Sequence, residues 1–366
     1  MQTLTINTSV LRNSVSVANT FTQSEGDFIG MITLVGTDGK LEVKSSDFVQ
    51  TVIFKNIDFV SSDLTNTSFN AFSVDGKKLT TVLKAAKTDE VQIELYSEKI
   101  VIKSGRSKVK IDTLANTQEI EIVKDGESFD FSSQIGKMDQ ILHAVAHDGP
   151  NYALLGVLLQ AKDGLLNIVG TDTKRMAIAS SETKLNDLDV IVPKDAVSTI
   201  SKLFKGFNIE AYIGESYLTV DTETVCYQTK LINTLYPEWQ RIVPKSAEQT
   251  ITINRRGLKT LIEEASIFES KVKIRINEKG IVVQDMDGNT EVTDTLAVDN
   301  ADMYFAVDSK AVIDFLNSFD EDNVVIAYNG ANMPFVLTAN SEYKEIVMPI
   351  VISDEETHKE ETSHAA

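Results

Sequence analysis

Three stretches far apart in the chain repeat one pattern: "LTINTSVLRNSV" near the start, "FDFSSQIGKMDQIL" in the middle and "ITINRRGLKTLI" downstream. Each reads as a short alternating strand, a polar N-cap and an amphipathic helix. Asn7, Ser132 and Asn254 hold the same place, at steps of 125 and 122 residues. A second element recurs in the same order, "FSVDGKKLTTVLKAAK", "VIVPKDAVSTISKLFK" and "FAVDSKAVIDFLNSFD", aligned on Val74, Val192 and Val307. A third aligns Asp47, Asp172 and Asp287, each behind a hairpin turn at Asp38-Gly39, Asp163-Gly164 or Lys279-Gly280. One such match is weak, but three in a fixed order constrain the fold. They predict an α+β chain of three similar domains, each with two helices and several antiparallel strands. The period is too long for a solenoid. The boundaries fall at "EIVKDGES" and "IVPKSAEQ", giving domains over 1–123, 124–246 and 247–352, with a charged, disordered tail over 353–366.

A chain of 366 residues exceeds one ordinary core. No apolar run approaches the roughly 18 residues of a membrane helix, and "MQTLTINTSV" lacks the make-up of a signal peptide. Cys226 is the lone cysteine, which excludes an intrachain disulfide and a cysteine-cluster metal site. A cytoplasmic protein with no membrane partner is expected.

Charge is unevenly placed. The net charge is −19, yet the six segments read as helices sum to +6, leaving −25 for the remainder. Lysine is a good helix former, which accounts for part of this. The other reading is that the helices share one face toward a polyanion, where Lys and Arg neutralise phosphates without reading bases. Its candidates are Lys77, Lys78, Lys84, Lys137, Lys194, Lys202, Lys205, Arg255 and Arg256.

Nothing assembles into a catalytic constellation. His143 and His147 have helical metal spacing, but "HAVAH" lacks the glutamate of a zinc hydrolase, and His358 and His364 sit in the tail. There is no glycine-rich phosphate loop or nucleophile elbow. The chain reads as non-enzymatic, with no cofactor and no metal. A hydrolase built on Asp172 and Arg175 is the weakest alternative. Trp239 reads as packing at a domain junction.

Taken together, "SGRSKVKIDTL" (104–114), "NYALLGVLLQAKDGLLNIVGTDTKRMAIAS" (151–180), "YQTKLINTLYPEWQRIVP" (227–244), "YFAVDSKAVIDFLNSF" (304–319) and "EIVMPI" (345–350) resemble the bacterial DNA polymerase III β subunit, the sliding clamp family. With the repeat, the resemblance covers about residues 1–352. It implies a DNA clamp fold in which two chains close head to tail into a ring, with sheets outside and helices inside. Such a ring encircles duplex DNA without sequence preference. It tethers the polymerase's catalytic subunit and is opened by a clamp loader.

The resemblance also implies a cleft for an apolar linear peptide between the second and third domains. It maps onto Leu154, Thr171, Thr173, Lys174, Arg175, Met176, Pro237, Arg241, Ile242, Ile346, Met348, Pro349 and Ile350, with Arg175 and Arg241 at polar edges. Tyr152 and Asp148 match a DNA-facing loop. The strand bearing Arg106, Lys108 and Lys110 and the apolar pair Ile267 and Phe268 match the two sides of the homodimer interface. The chain departs from the family pattern at Lys174, Met176 and Val351, in the loop "FTQSEGDFIG", which lacks a basic residue, and in its acidic tail. A ring that binds only proteins is the alternative reading. Within "GTDTKRMAIAS", Asp172 aligns with Asp47 and Asp287 and serves the strand end. Lys174 aligns with Val49 and Asn289, and Arg175 with Gln50 and Thr290, so the basic pair is peculiar to the middle repeat.

Overall fold

The computed structural model describes residues 2–63, 68–295 and 301–353. The tail expected over 353–366 lies, apart from Ser353, outside the described residues. Six helices form where the repeat places them: α1 (Thr8–Ala18), α2 (Gly76–Ala85), α3 (Ser132–Ile141), α4 (Lys194–Phe204), α5 (Arg255–Ala265) and α6 (Ser309–Asn317). Four start at an Asn or Asp whose side chain accepts a backbone N–H of the first turn: Asn7, Asp75, Asn254 and Asp308. Such a cap contributes about 1 kcal/mol. α1 buries Leu11, Ser14, Val15 and Ala18, one stripe of the helical period. α3 gives way to a 3-10 turn at Leu142–Ala144, and α5 stops at Ala265.

The register corrects the alignment of the middle repeat. Asn7 pairs with Glu90 and Asn254 with Asn323 at the ends of their strands, and the equivalent end pair is Asp130 with Glu210. Asp130 Oδ1 accepts the Ser132 N–H, as Asn7 Oδ1 accepts that of Ser9. The counterpart of Asn7 is therefore Asp130, not Ser132.

The chain divides into two compact units, Met1–Ser132 with Leu203–Leu231 and Ser133–Lys202 with Ile232–Ala366. In the first, one antiparallel sheet runs from the second repeat into the first. Its order is Glu127–Asp130, Glu210–Ile213, Tyr217–Asp221, Val225–Lys230, Gln50–Asp58, Lys40–Ser46, Met31–Thr37, Phe69–Asp75, Ser107–Leu114, Lys99–Ser104, Glu90–Leu95, Gln2–Asn7 and Ser61–Ser62. In the second unit, an eight-stranded sheet runs Leu188–Pro193, Gly156–Lys162, Leu165–Thr171, Arg175–Glu182, Tyr343–Val347, Phe335–Asn340, Asn323–Tyr328 and Gln249–Asn254. A four-stranded sheet carries Glu291–Asp294, Gly280–Asp285, Lys271–Asn277 and Asp302–Asp308. α1 packs on α2 and α5 on α6.

The two sheets that cross repeats do so in the same way. Gln50 pairs with Thr229 in one and Arg175 with Val347 in the other. One residue outward, Lys230 N donates to Val49 O at 2.9 Å and Met348 N to Lys174 O at 2.8 Å. The hairpins at Asp38-Gly39 and Asp163-Gly164 hold both residues at positive φ, the geometry that favours glycine in the second place. In the third repeat the turn is Glu278-Lys279, because Gly280 already pairs with Asn277.

Candidate functional site

The turn between Leu165–Thr171 and Arg175–Glu182 is fixed by its own side chains. Asp172 Oδ1 accepts the N–H groups of Lys174 at 2.9 Å and Arg175 at 3.0 Å. Thr171 Oγ1 accepts the Thr173 N–H at 3.1 Å and donates to Arg175 O at 2.6 Å. These bonds hold Thr173 at φ 77°, an uncommon region for a β-branched residue that costs about 1–3 kcal/mol. The first repeat builds the same turn: Asp47 accepts from Val49 and Gln50, and Phe48 has φ 72°. In the third repeat the acceptor is Asp285, which bonds the N–H groups of Asn289 and Thr290, so Asp287 is not the counterpart. The structural role expected for Asp172 is what its bonds perform.

Arg175 lies elsewhere than at a polar edge. It is buried, and its guanidinium donates to Asp172 Oδ2 at 3.1 Å, Asp314 Oδ2 at 2.9 Å and His143 O at 2.6 Å. Burial works against its charge, but Glu345, Asp314 and Asp172 outweigh it and hold the group protonated. Asp314 also accepts Lys310 Nζ at 2.7 Å. Burial alone would push its carboxyl up, yet bonds from Lys310 and Arg175 bring it below its ordinary value. Arg175 thus ties its strand to α6 and to the turn after α3. The same bonds commit Asp172 and Arg175 to holding the turn and the neighbouring elements together. A cavity of about 530 Å³ beside Arg175 is lined by His143, His147, Asp148, Lys174, Lys194 and Lys310.

The apolar residues divide into floor and rim. Met176 pairs with Ile346 in the sheet, and both are buried in one core with Ala153, Leu158, Ile178 and Trp239. Tyr236 and Val243 pack against it. Trp239 Nε1 donates to Gln160 Oε1 at 3.2 Å, in accord with a packing role. Leu154 is buried next to Ala153. The neighbours of these core residues stand in solvent: Pro237, Ile242 (50% exposed) and Met348 (42%), with Pro349 half-buried. Lys174, Thr173 and Arg241 are exposed polar residues, Arg241 paired with Glu238, and Thr171 is half-buried. Ile350 belongs to a different core, with Tyr304, Ala306 and Ile352, and its N–H donates to Ala306 O. Leu235, 93% exposed, is a rim candidate that the sequence reading missed.

Among the helix cations, Lys77, Lys78, Lys84, Lys202, Lys205 and Arg256 are exposed, as is Tyr152. Three others turn inward. Lys137 Nζ donates to Ser180 O and Glu342 Oε2, both at 2.9 Å. Arg255 donates to Leu316 O, a carbonyl at the end of α6, and to Glu321 O in the loop that follows. Arg12 performs the same service for α2 through Leu83 O and Ala86 O. Lys194 Nζ donates to Val145 O at 2.6 Å, and burial, then the Arg175 charge, push its amine down. Length and local spacing carry no mark of these long-range acceptors.

The edge Ser107–Asp112 has a strand on one side only among the described residues, and Arg106, Lys108 and Lys110 are exposed along it. Lys108 Nζ lies 3.8 Å from the buried Glu94. Ile267 and Phe268 are exposed, Phe268 to 85%. His143 is not poised as a metal ligand: both ring nitrogens are engaged, by Gln140 O and Glu345. No group of three metal-ligating side chains occurs among the described residues. Nor is any described helix long and apolar enough to cross a membrane.

Repeated helix pairs backed by antiparallel sheets, with an apolar floor where two repeats share a sheet, define the DNA clamp fold. Three comparisons agree. Residues 132–238 match the family described as DNA polymerase III beta subunit, central domain. The beta sliding clamp of Helicobacter pylori strain J99 is 24% identical over 76% of this chain and 82% of that protein, and that of Buchnera aphidicola 23% over 86% of each. The structure of the Helicobacter pylori beta clamp bound to DNA ligase peptide superposes with a TM-score of 0.87, at 23% identity, over 95% of this chain and all of that one. The Pseudomonas aeruginosa clamp bound to griselimycin gives 0.86 at 17%, over 96% of this chain and all of that one. The chain thus has the fold of the β sliding clamps and is similar to them in sequence at low identity.

Proposed function

We propose that this chain is a replication processivity factor that closes around duplex DNA as a ring-shaped homodimer and tethers the polymerase's catalytic subunit and other partners. The repeats over 1–123, 124–246 and 247–352 serve as its three domains. α1–α6 face the DNA, with Lys77, Lys78, Lys84, Lys202, Lys205, Arg256 and Tyr152 making sequence-independent phosphate contacts. The open edge at Ser107–Asp112 and the exposed Ile267 and Phe268 meet across the two subunit junctions. The protein does no chemistry of its own, is opened by a clamp loader and works in the cytoplasm.

The observation that carries the partner-binding reading is the pairing of Met176 with Ile346 beneath an exposed apolar rim of Ile242 and Met348. A floor of this kind suits a short apolar peptide, with Lys174 and Arg241 at its border. The inward turn of Lys137 and Arg255 favours the protein-only ring as the second reading. Small-angle scattering tests the assembly: a particle of dimer mass with a central hole supports it, and a compact monomer refutes it.

A further inference from the structure

The imidazole of His143 stands between two oxygen atoms. Nδ1 is 2.8 Å from Gln140 O, and Nε2 is 2.6 Å from Glu345 Oε2. A carbonyl oxygen has no proton to give, so Nδ1 carries one. A neutral ring then presents a bare lone pair at Nε2, and an ionised carboxylate presents another across the gap. The contact is attractive only when a second proton sits between Nε2 and Oε2. The pair therefore holds one proton more than a neutral imidazole and a carboxylate together. Imidazolium with carboxylate and imidazole with carboxylic acid are two forms of that same state.

The surroundings favour that state. Glu345 is fully buried, and its Oε1 has no hydrogen-bond partner among the described residues. Burial pushes its carboxyl up, opposed by His143 and then by Arg175, while Asp172 adds to the rise. Tyr343, on the same strand, donates to the same Gln140 carbonyl at 3.2 Å. Asp314 faces the cluster through Arg175.

We propose that the proton shared by His143 and Glu345 clasps the strand Tyr343–Val347 to the end of α3, making the grip on a peptide at Ile346 and Met348 weaken as pH rises. The peptide arm rests on the cleft reading given above. Glu345 directly precedes Ile346, so the clasp positions the floor without touching the peptide. At neutral pH an unfolded chain has its Glu ionised and its His mostly neutral, so the folded pair binds more protons. With the Glu345 carboxyl raised by burial, its stabilisation is full at low pH and is lost as pH rises through that carboxyl's folded titration.

Glu345→Gln provides the test, because an amide N–H can donate to Nε2 in the same place with no proton to lose. Binding of the DNA ligase peptide is measured from neutral to alkaline pH, with ring nitrogen NMR of His143 and amide exchange at Ile346 and Val347. The wild type is expected to lose affinity by about tenfold as the shared proton leaves, with exchange quickening in step, while E345Q stays flat in both. A pH-independent wild type, or an E345Q profile that follows the wild type, overturns the clasp. If this peptide binds at no pH, the cleft reading fails. Ring titration and exchange then decide the clasp alone: coupled changes support it, and uncoupled ones overturn it.

Discussion

Arg175 Nη1 donates to Asp314 Oδ2 at 2.9 Å across 139 residues of chain, joining a strand of the middle repeat to a helix of the last. With Asp172 and His143 O as its other acceptors, the guanidinium is a buried three-way tie. Truncating it leaves the His143 carbonyl without its donor and Asp314 with Lys310 alone. Arg175→Ala should cost about 3–5 kcal/mol in urea unfolding. Arg175→Lys should recover little, since an ammonium lacks the planar fork that reaches three acceptors. A change in peptide affinity with stability unaltered would place Arg175 at the rim after all.

Met348 makes the opposite case. Its side chain is substantially exposed while its backbone N–H is held by Lys174 O. Met348→Ala should leave unfolding within about 0.5 kcal/mol of wild type and weaken a cleft peptide by about tenfold or more. Calorimetry on both proteins checks this, and equal affinities would remove Met348 from the cleft.

Much of this architecture is legible in the chain. The Asp-Gly hairpins, the polar caps and the spacing of the helices are local and follow from turn and helix chemistry. Asp285 was hidden because its turn is longer than those at Asp47 and Asp172, so the nearest aligned aspartate, Asp287, took its place. Lys137 and Arg255 read as surface charge because nothing near them in sequence announces acceptors on Ser180, Leu316 or Glu321. His143, Glu345 and Asp314 escaped for the same reason: each acts across a third or more of the chain.

Asp221 predicts an acid limb. It bonds Lys55 Nζ at 2.6 Å and Lys124, tying the strand Tyr217–Asp221 to the first repeat and to the linker before Glu127. Burial raises its carboxyl, but the bonds from Lys124 and Lys55 outweigh that and hold it below its ordinary value. A depressed acid contributes stability above its unfolded pKa and loses it as pH falls through the folded one. Asp221→Asn should therefore be less stable at neutral pH and show a shallower decline in acid, by denaturant titration across the acid range. An unchanged acid slope would contradict the assignment.

Cys226 should be silent in the folded protein. It is buried, and burial, with Asp221 nearby, pushes its thiol up to about 12. Thiol reagents act on thiolate, so labelling near neutrality should run at least about a hundredfold slower than in the unfolded chain. Rapid native labelling would mean that the strand Val225–Lys230 opens readily where the two repeats join.

Ile267→Ala with Phe268→Ala should shift sedimentation from dimer toward monomer with little loss of fold, since both side chains are exposed in the isolated chain. An unaltered dimer would refute that interface.

A ring around DNA is held by topology alone, and a linear duplex with blockable ends reveals such a hold. The protein is threaded onto the duplex, both ends are capped with biotin and streptavidin, and the mixture is filtered in high salt. Encirclement predicts that protein stays with the capped DNA and leaves when a restriction enzyme cuts it. Protein that never stays, or that stays after cutting, would contradict a clamp that holds DNA by surrounding it.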